Sequence, residues 1–132
     1  MKGTYILISY ILQNIEIRIG ALGKLHFNKG YYLYVGSAMA EYGSTSLENR
    51  IKRHILPTNK KKLHWHIDYL LEDNKSILWR IYMIPSSQRL ECVIAQEILS
   101  FADSSYEGFG SSDCKCTSHL FFFKNLDKFG CH

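Results

Sequence analysis

Strand signals fill the first 36 residues of the chain, and they constrain its fold more than any other feature. Residues 4–12 form a run rich in Ile, Leu and Tyr, while "IEIRI" at 15–19 alternates strictly between apolar and charged positions. The first reads as a well-buried strand and the second as a half-buried one, because successive side chains of a strand point to opposite faces. Gly20 and Gly23 punctuate the next turn, "KLHF" reads as a short strand, and "NKG" at 28–30 reads as a turn. Tyr31 to Val35 is then a further strand ending at Gly36, with Tyr32 and Tyr34 on one face and Tyr31, Leu33 and Val35 on the other. Phe would serve a purely apolar strand. A buried Tyr hydroxyl needs a partner, so at least one of these three phenols is presented to something polar.

Helical patterns follow. Thr45 to Glu48 has the form of a capping box, and Leu47, Ile51 and Ile55 recur every four residues. The pattern predicts a helix of about ten residues stopped by Pro57, with Arg50 and His54 one turn apart beside the apolar stripe. "PTNKKK" is a polar, basic loop, "LHWHIDYLLE" at 63–72 reads as a second helix, and "SILWRIYMI" at 76–84 is a strand closed by Pro85. Ser87 to Phe101 is the third predicted helix, with Leu90, Ile94, Ile98 and Phe101 facing inward. The Gly/Ser-rich "EGFGSSDCKC" makes an irregular loop, and "HLFFF" is a last short strand. The expected fold class is α+β, a small mixed sheet flanked by about three helices, in a single domain over 1–132.

The 132 residues are enough to bury a core without disulfides or a structural metal. A net charge of +4 permits a polyanionic partner without demanding one. Cys92, Cys114, Cys116 and Cys131 have no framework spacing, which favours reduced thiols. "MKGTYILISYIL" has a lysine before an apolar run, yet the following "QNIEIRIG" offers no small-residue cleavage pattern. No run approaches the roughly 20 apolar residues of a membrane span. The expectation is a soluble, cytoplasmic protein with no membrane partner.

Tyr5, Tyr34, Arg50, His54 and Glu91 make a set with chemical potential: two phenols on adjacent strands, a cation and an imidazole on one helix, and a carboxylate opening another. Each has a plainer reading as well. The tyrosines would be core edges, Arg50 a surface ion pair, and Glu91 a favourable charge in a helix's first turn.

The order of these residues resembles the GIY-YIG nuclease superfamily. "GTY" at 3–5 resembles the first half of its motif and "YVG" at 34–36 the second, with the inserted "IEIRIG" strand accounting for the separation of about thirty residues. The resemblance implies an arginine on the following helix, which "LENRIKRH" supplies as Arg50 with His54 one turn later. It also implies a single metal-binding glutamate on a later helix, supplied by Glu91 in "LECVIAQ"; Glu97 lies further along the same helix, off the Glu91 face. "YYLYVGSA", "KLHWHIDYLL" and "GFGSSDCKC" followed by "SHLF" resemble one small branch, found alone or fused to endonuclease III-type glycosylases. The late supporting asparagine of the family is open here between Asn125 and the substitutes Ser111, Ser112 and Asp113.

Phosphodiester hydrolysis suits this set chemically. A water must lose a proton, the non-bridging oxygens must be held, and the leaving oxygen must be stabilised. Mg²⁺ or Mn²⁺ commonly does the last, and Mg²⁺ takes most of its ligands from water and substrate phosphate, so a lone Glu91 is adequate. Arg50 would clamp the phosphate with its guanidinium fork. Tyr34 is expected to face that phosphate. A phenol is a poor base at neutral pH, so Tyr5 must be depressed by the nearby cation and metal or must orient water, with His54 accepting or relaying its proton. His64 is expected near phosphate, and Lys52, Arg53, Lys60, Lys61 and Lys62 are expected to contact the nucleic-acid backbone without sequence preference. His64 and Asp68 share a helix face and His66 does not, which argues against a metal site in that segment. Cys114, Cys116 and His119, completed by Cys131 or His132, have an uncommon spacing for zinc.

The expectation is therefore a divalent-metal-dependent DNA endonuclease, structure-specific or acting in repair, with RNA left open as substrate and a DNA-repair protein as a partner. The alternatives are a non-catalytic nucleic-acid-binding module on the same fold and a zinc-bearing interaction domain.

Overall fold

The computed structural model describes residues 1–55, 65–110 and 118–126. The described strands are β1 (Gly3–Ile11), β2 (Ile15–Arg18), β3 (Lys24–Phe27), β4 (Gly30–Ala38), β5 (Ser76–Pro85), β6 (Ser104–Ser105) and β7 (Leu120–Phe123). The helices are α1 (Leu47–Ile55), α2 (His66–Glu72) and α3 (Glu91–Leu99). The α+β class is as expected. The main sheet has the order β5-β1-β4-β7-β6, and β2 and β3 form a separate two-stranded sheet. Every pairing in the main sheet is antiparallel, which refines the expected mixed sheet. The reason is topological: β4 and β5 run in the same direction, but β1 lies between them, so the helical connection from β4 to β5 creates no parallel ladder.

β1 is buried on both faces, so its sequence is a continuous apolar run. Tyr5, Leu7 and Ile11 join Tyr32 and Tyr34 of β4, Leu47 of α1 and Ile67 and Leu70 of α2 in one core. Ile6, Ile8, Leu33 and Val35 form the other with Ala95 and Ile98 of α3. The predicted division of β4 into two faces holds. Tyr32 belongs to packing, its hydroxyl donating to the Asn28 carbonyl at 2.7 Å, and Tyr31 packs against Tyr10 and Trp79.

All three helices begin or end away from their predicted positions. α1 is capped by Ser46 in place of Thr45, since the Asn49 N–H donates to Ser46 Oγ at 3.4 Å. Ile55 is exposed, so the inward stripe stops at Ile51. α2 starts at His66 because Trp65 is extended (φ −94°, ψ 157°), and its N–H donates to the Asp68 carboxylate at 2.9 Å. α3 starts at Glu91, after a local turn in which the Gln88 N–H donates to Ser86 Oγ at 3.0 Å. Phe101 lies beyond the helix end, where the four-residue spacing no longer applies, and is exposed. Cys92 is disulfide-bonded, which corrects the expectation of reduced thiols; the other three cysteines lie outside the described residues. Among the described residues no helix is long and apolar enough to cross a membrane.

α1 and α2 are tied by a charge pair. Asp68, fully buried, receives Arg53 Nη1 on Oδ1 at 2.8 Å and Arg53 Nη2 on Oδ2 at 2.9 Å. Arg53→Met would leave a buried carboxylate without its cation and should cost about 3–5 kcal/mol in urea unfolding. Asp68→Asn should cost less, because the Arg53 side chain is 25% exposed and can reach water. Equal losses in the two variants would contradict this asymmetry.

Candidate active site

β1 and β4 place two phenols side by side. Tyr5 pairs with Gly36 across the ladder, and a Cβ at position 36 would run into Tyr5 Cζ and Oη. The glycine of "YVG" is thus the space that the Tyr5 ring occupies. Tyr5 Oη and His54 Nε2 share a hydrogen bond of 2.8 Å, and both residues are buried. The Tyr34 ring centroid lies 6.5 Å from that of Tyr5 and 6.4 Å from that of His54.

A cleft of about 590 Å³ opens beside this group, lined by Tyr34, Arg50, Trp65, His66, Glu91 and His119 among others. Arg50 Nη1 donates to the Ser37 carbonyl at 3.0 Å, and its guanidinium stands 4.5 Å from the Trp65 ring centroid. Its Nε is buried without a hydrogen-bond partner among the described residues. Glu91 opens α3, as expected, and is 7% exposed. Its Oε1 accepts a bond from Arg89 Nη1 at 3.2 Å. Glu97 is exposed on α3 and lines no part of the cleft, so Glu91 is the carboxylate that does.

Of the five residues singled out in the sequence, Tyr34, Arg50 and Glu91 line the cleft, whereas Tyr5 and His54 stand behind it. Burial pushes the Tyr5 hydroxyl up to about 12, against the opposing pull of the Arg50 guanidinium. Burial also raises Tyr34 well above the ordinary phenol value, with Tyr5 and Glu91 adding to it. Of the two roles expected for Tyr5, depression below the ordinary phenol value is not what the Arg50 guanidinium produces. Desolvation of the phenolate outweighs one guanidinium, and the alternative of an intact hydroxyl that orients water remains.

The proposed backbone contacts divide. Lys52 is exposed on α1. Arg53 is paired with Asp68 and lies 4.3 Å from the Trp65 ring centroid, which places it between the helices, with its side chain 25% exposed. Lys60, Lys61, Lys62 and His64 lie outside the described residues, as do Ser111, Ser112, Asp113 and all the zinc candidates except His119. Asp68 faces Arg53, and the helical face it was expected to share with His64 involves a residue outside the described ones. Asn125 is exposed and lines no part of the cleft.

Trp65, His66, Arg89 and His119 also line the cleft and were not assigned from the sequence. His66 Nδ1 accepts the Gly110 N–H at 2.9 Å, and burial lowers its pKa. The signal is the "HWH" segment, in which the sequence points to His64 and leaves His66 without a role. Among the described residues no three His, Cys, Asp or Glu side chains form a metal cluster. One buried carboxylate at a cleft does fit Mg²⁺ or Mn²⁺ held mainly by water and phosphate; it does not fit a cage of protein ligands.

Fold and cleft together define a small α+β domain whose polar site is assembled from strand tyrosines, a helical arginine and a helix-opening glutamate. The chain belongs to the family described as "Domain of unknown function DUF123", whose model matches residues 4–130. No curated protein and no solved structure matches it.

The raised Tyr5 pKa makes a signed prediction. A group whose folded pKa lies above its unfolded value of about 10 stabilises the fold below pH 10, and that contribution is lost as pH rises through about 12. In absorbance titrations at alkaline pH, the phenolate step missing from Tyr5→Phe should lie near 12. A missing step below 10 would restore the depressed phenol. Gly36→Ala should cost about 1–3 kcal/mol by overpacking Tyr5, and unchanged stability would show that the ring can move aside.

Proposed function

We propose that this protein is a divalent-metal-dependent endonuclease of GIY-YIG kind that hydrolyses DNA phosphodiester bonds. The observation that carries the reading is the gathering of Tyr34, Arg50 and Glu91, from β4, α1 and α3, around one cleft, with the Tyr5–His54 pair directly behind Tyr34.

Arg50 offers the scissile phosphate a guanidinium whose backbone bond and Trp65 contact fix its plane, so charge gathering on the non-bridging oxygens meets a preorganised cation. Tyr34, protonated at neutral pH, donates from its hydroxyl to the attacking water or to a phosphate oxygen. Tyr5 touches no substrate from its buried position; its hydroxyl holds the His54 ring, and the pair positions Tyr34. Glu91 would hold Mg²⁺ or Mn²⁺, and Arg89, whose side chain is 61% exposed, can leave Glu91 Oε1 when the metal arrives. The bound ion supplies stabilisation of the leaving oxygen. A domain of this size has little surface for reading a long sequence, which favours structure-specific cutting or direction by a DNA-repair protein.

A second reading, a non-catalytic nucleic-acid-binding module, draws on the Arg89–Glu91 contact, which neutralises the proposed metal ligand from within the chain.

The two readings separate on labelled duplex, nicked, flapped and branched DNA with Mg²⁺ or Mn²⁺. Glu91→Gln should abolish cleavage, by about 10²-fold or more, while DNA affinity holds or rises. Arg50→Ala should weaken both, having lost a transition-state clamp and a ground-state phosphate contact. Parent protein that binds but cuts no substrate with either metal would support the binding module; equal cleavage by Glu91→Gln and parent would remove Glu91 from the chemistry.

A further inference from the structure

We propose that His66 is a second phosphate-binding group of the cleft, a neutral imidazole held in its Nε2–H form by the Gly110 backbone and donating one hydrogen bond to a non-bridging phosphate oxygen. The proposal rests on the nuclease reading only in naming the anion a phosphodiester.

The tautomer follows from a backbone bond. The Gly110 N–H donates to His66 Nδ1 at 2.9 Å, and an amide can donate only to a ring nitrogen that carries a lone pair. The single proton of a neutral imidazole is then on Nε2, which has no hydrogen-bond partner among the described residues and belongs to a residue lining the cleft. Protonating Nδ1 would break the Gly110 bond. Burial of the ring, which lowers the His66 pKa, opposes the imidazolium as well.

The anchor is closely packed. Gly110 has φ 71°, a conformation that favours glycine, and a Cβ there would sit 2.9 Å from Tyr34 Cε1 and 3.3 Å from His119 Cβ. Phe109, fully buried, stands edge-on to His66, with ring centroids 5.5 Å apart, and to Tyr34 at 6.2 Å. The same turn thus backs both Tyr34 and His66, and it fixes the plane of an imidazole that shares the cleft with Arg50 and Glu91. A neutral donor suits that place. It holds a phosphate oxygen without adding a positive charge that would repel a metal ion at Glu91.

Two variants divide the ring's functions. His66→Asn keeps an acceptor near Nδ1 for Gly110 and removes the outer donor; His66→Gln keeps an N–H donor near Nε2 and removes the acceptor. Binding of inorganic phosphate and of a short duplex oligonucleotide, in EDTA and without any metal, is the readout, beside thermal melting and imidazole ¹⁵N spectra of the whole chain. The parent should show an unprotonated Nδ1 and a protonated Nε2 at neutral pH, with Nε2 shifting on addition of phosphate. His66→Asn should melt close to the parent and bind about tenfold more weakly, the loss expected for one hydrogen bond to a charged group. His66→Gln should bind within about threefold of the parent and melt lower. The reverse pattern, full binding by His66→Asn and weak binding by His66→Gln, would make His66 a prop for Gly110 and overturn the proposal. A parent spectrum with Nδ1 protonated, or no binding of either probe by the parent, would overturn it too. Parent protein that binds and shows the expected variant pattern yet cleaves nothing with Mg²⁺ or Mn²⁺ would remove the nuclease reading and leave His66 as a phosphate donor.

Discussion

The buried carboxylate of Asp68 is the group on which the geometry of the cleft depends. It accepts two bonds from Arg53 and one from the Trp65 backbone, so a single side chain fixes where α2 begins and how α1 lies against it. Trp65, held extended by that bond, presents its ring to the guanidiniums of both Arg50 and Arg53. Arg50 in turn reaches the Ser37 carbonyl at the end of β4. Asp68 therefore sets Trp65, Trp65 helps to set Arg50, and Arg50 meets the strand that carries Tyr34. An apolar trio of the same volume would pack as well and could be as stable, but it would leave the guanidinium plane of Arg50 undetermined.

The strands add a second constraint, which is that the phenols are kept out of water. Gly36 admits the Tyr5 ring to a space that any side chain would fill, and the His54 ring closes that space from α1. Burial stabilises the neutral hydroxyl over the phenolate, so the pair serves by hydrogen bonding and not by ionisation. Packing and chemistry are linked here through one glycine. The small residue in β4 is what allows a large polar side chain in β1 to reach a helix across the sheet.

Much of this arrangement is legible in the sequence because it follows from periodicity. The two-residue period separates Tyr32 and Tyr34 from Leu33 and Val35, the alternation of "IEIRI" marks β2, and the four-residue spacing puts His54 one turn from Arg50. Helix starts are harder to read, since those of α1 and α2 are set by particular hydrogen bonds, with Ser46 Oγ and the Asp68 carboxylate as acceptors, while α3 follows a local turn at Ser86 and has no side-chain cap. From the sequence, His64 is expected near phosphate and His66 has no role, because on a helix only His64 shares the Asp68 face. Arg53 was misjudged for a related reason. As one basic residue among several it read as a surface cation, because its partner Asp68 lies fifteen residues away on another helix.

The three arginines near the cleft show how charge is distributed once those contacts are known. Arg53 is paired with a carboxylate that has no exposure, so its charge is balanced within the fold. Arg89 is paired with Glu91 from a largely exposed position, where water and salt weaken the contact. Arg50 differs from both, since among the described residues its guanidinium interacts with the Ser37 carbonyl and the Tyr5 hydroxyl, neither of them a carboxylate, and its Nε has no acceptor. A half-buried guanidinium without a carboxylate partner is costly unless an anion completes it. A phosphate held by Arg50, with Tyr34 and the Nε2–H of His66 as neutral donors beside it, would supply that anion. Such a ligand would offset the desolvation of Arg50, which has no carboxylate partner among the described residues, and this is the physical support for the proposal that the cleft is an anion site.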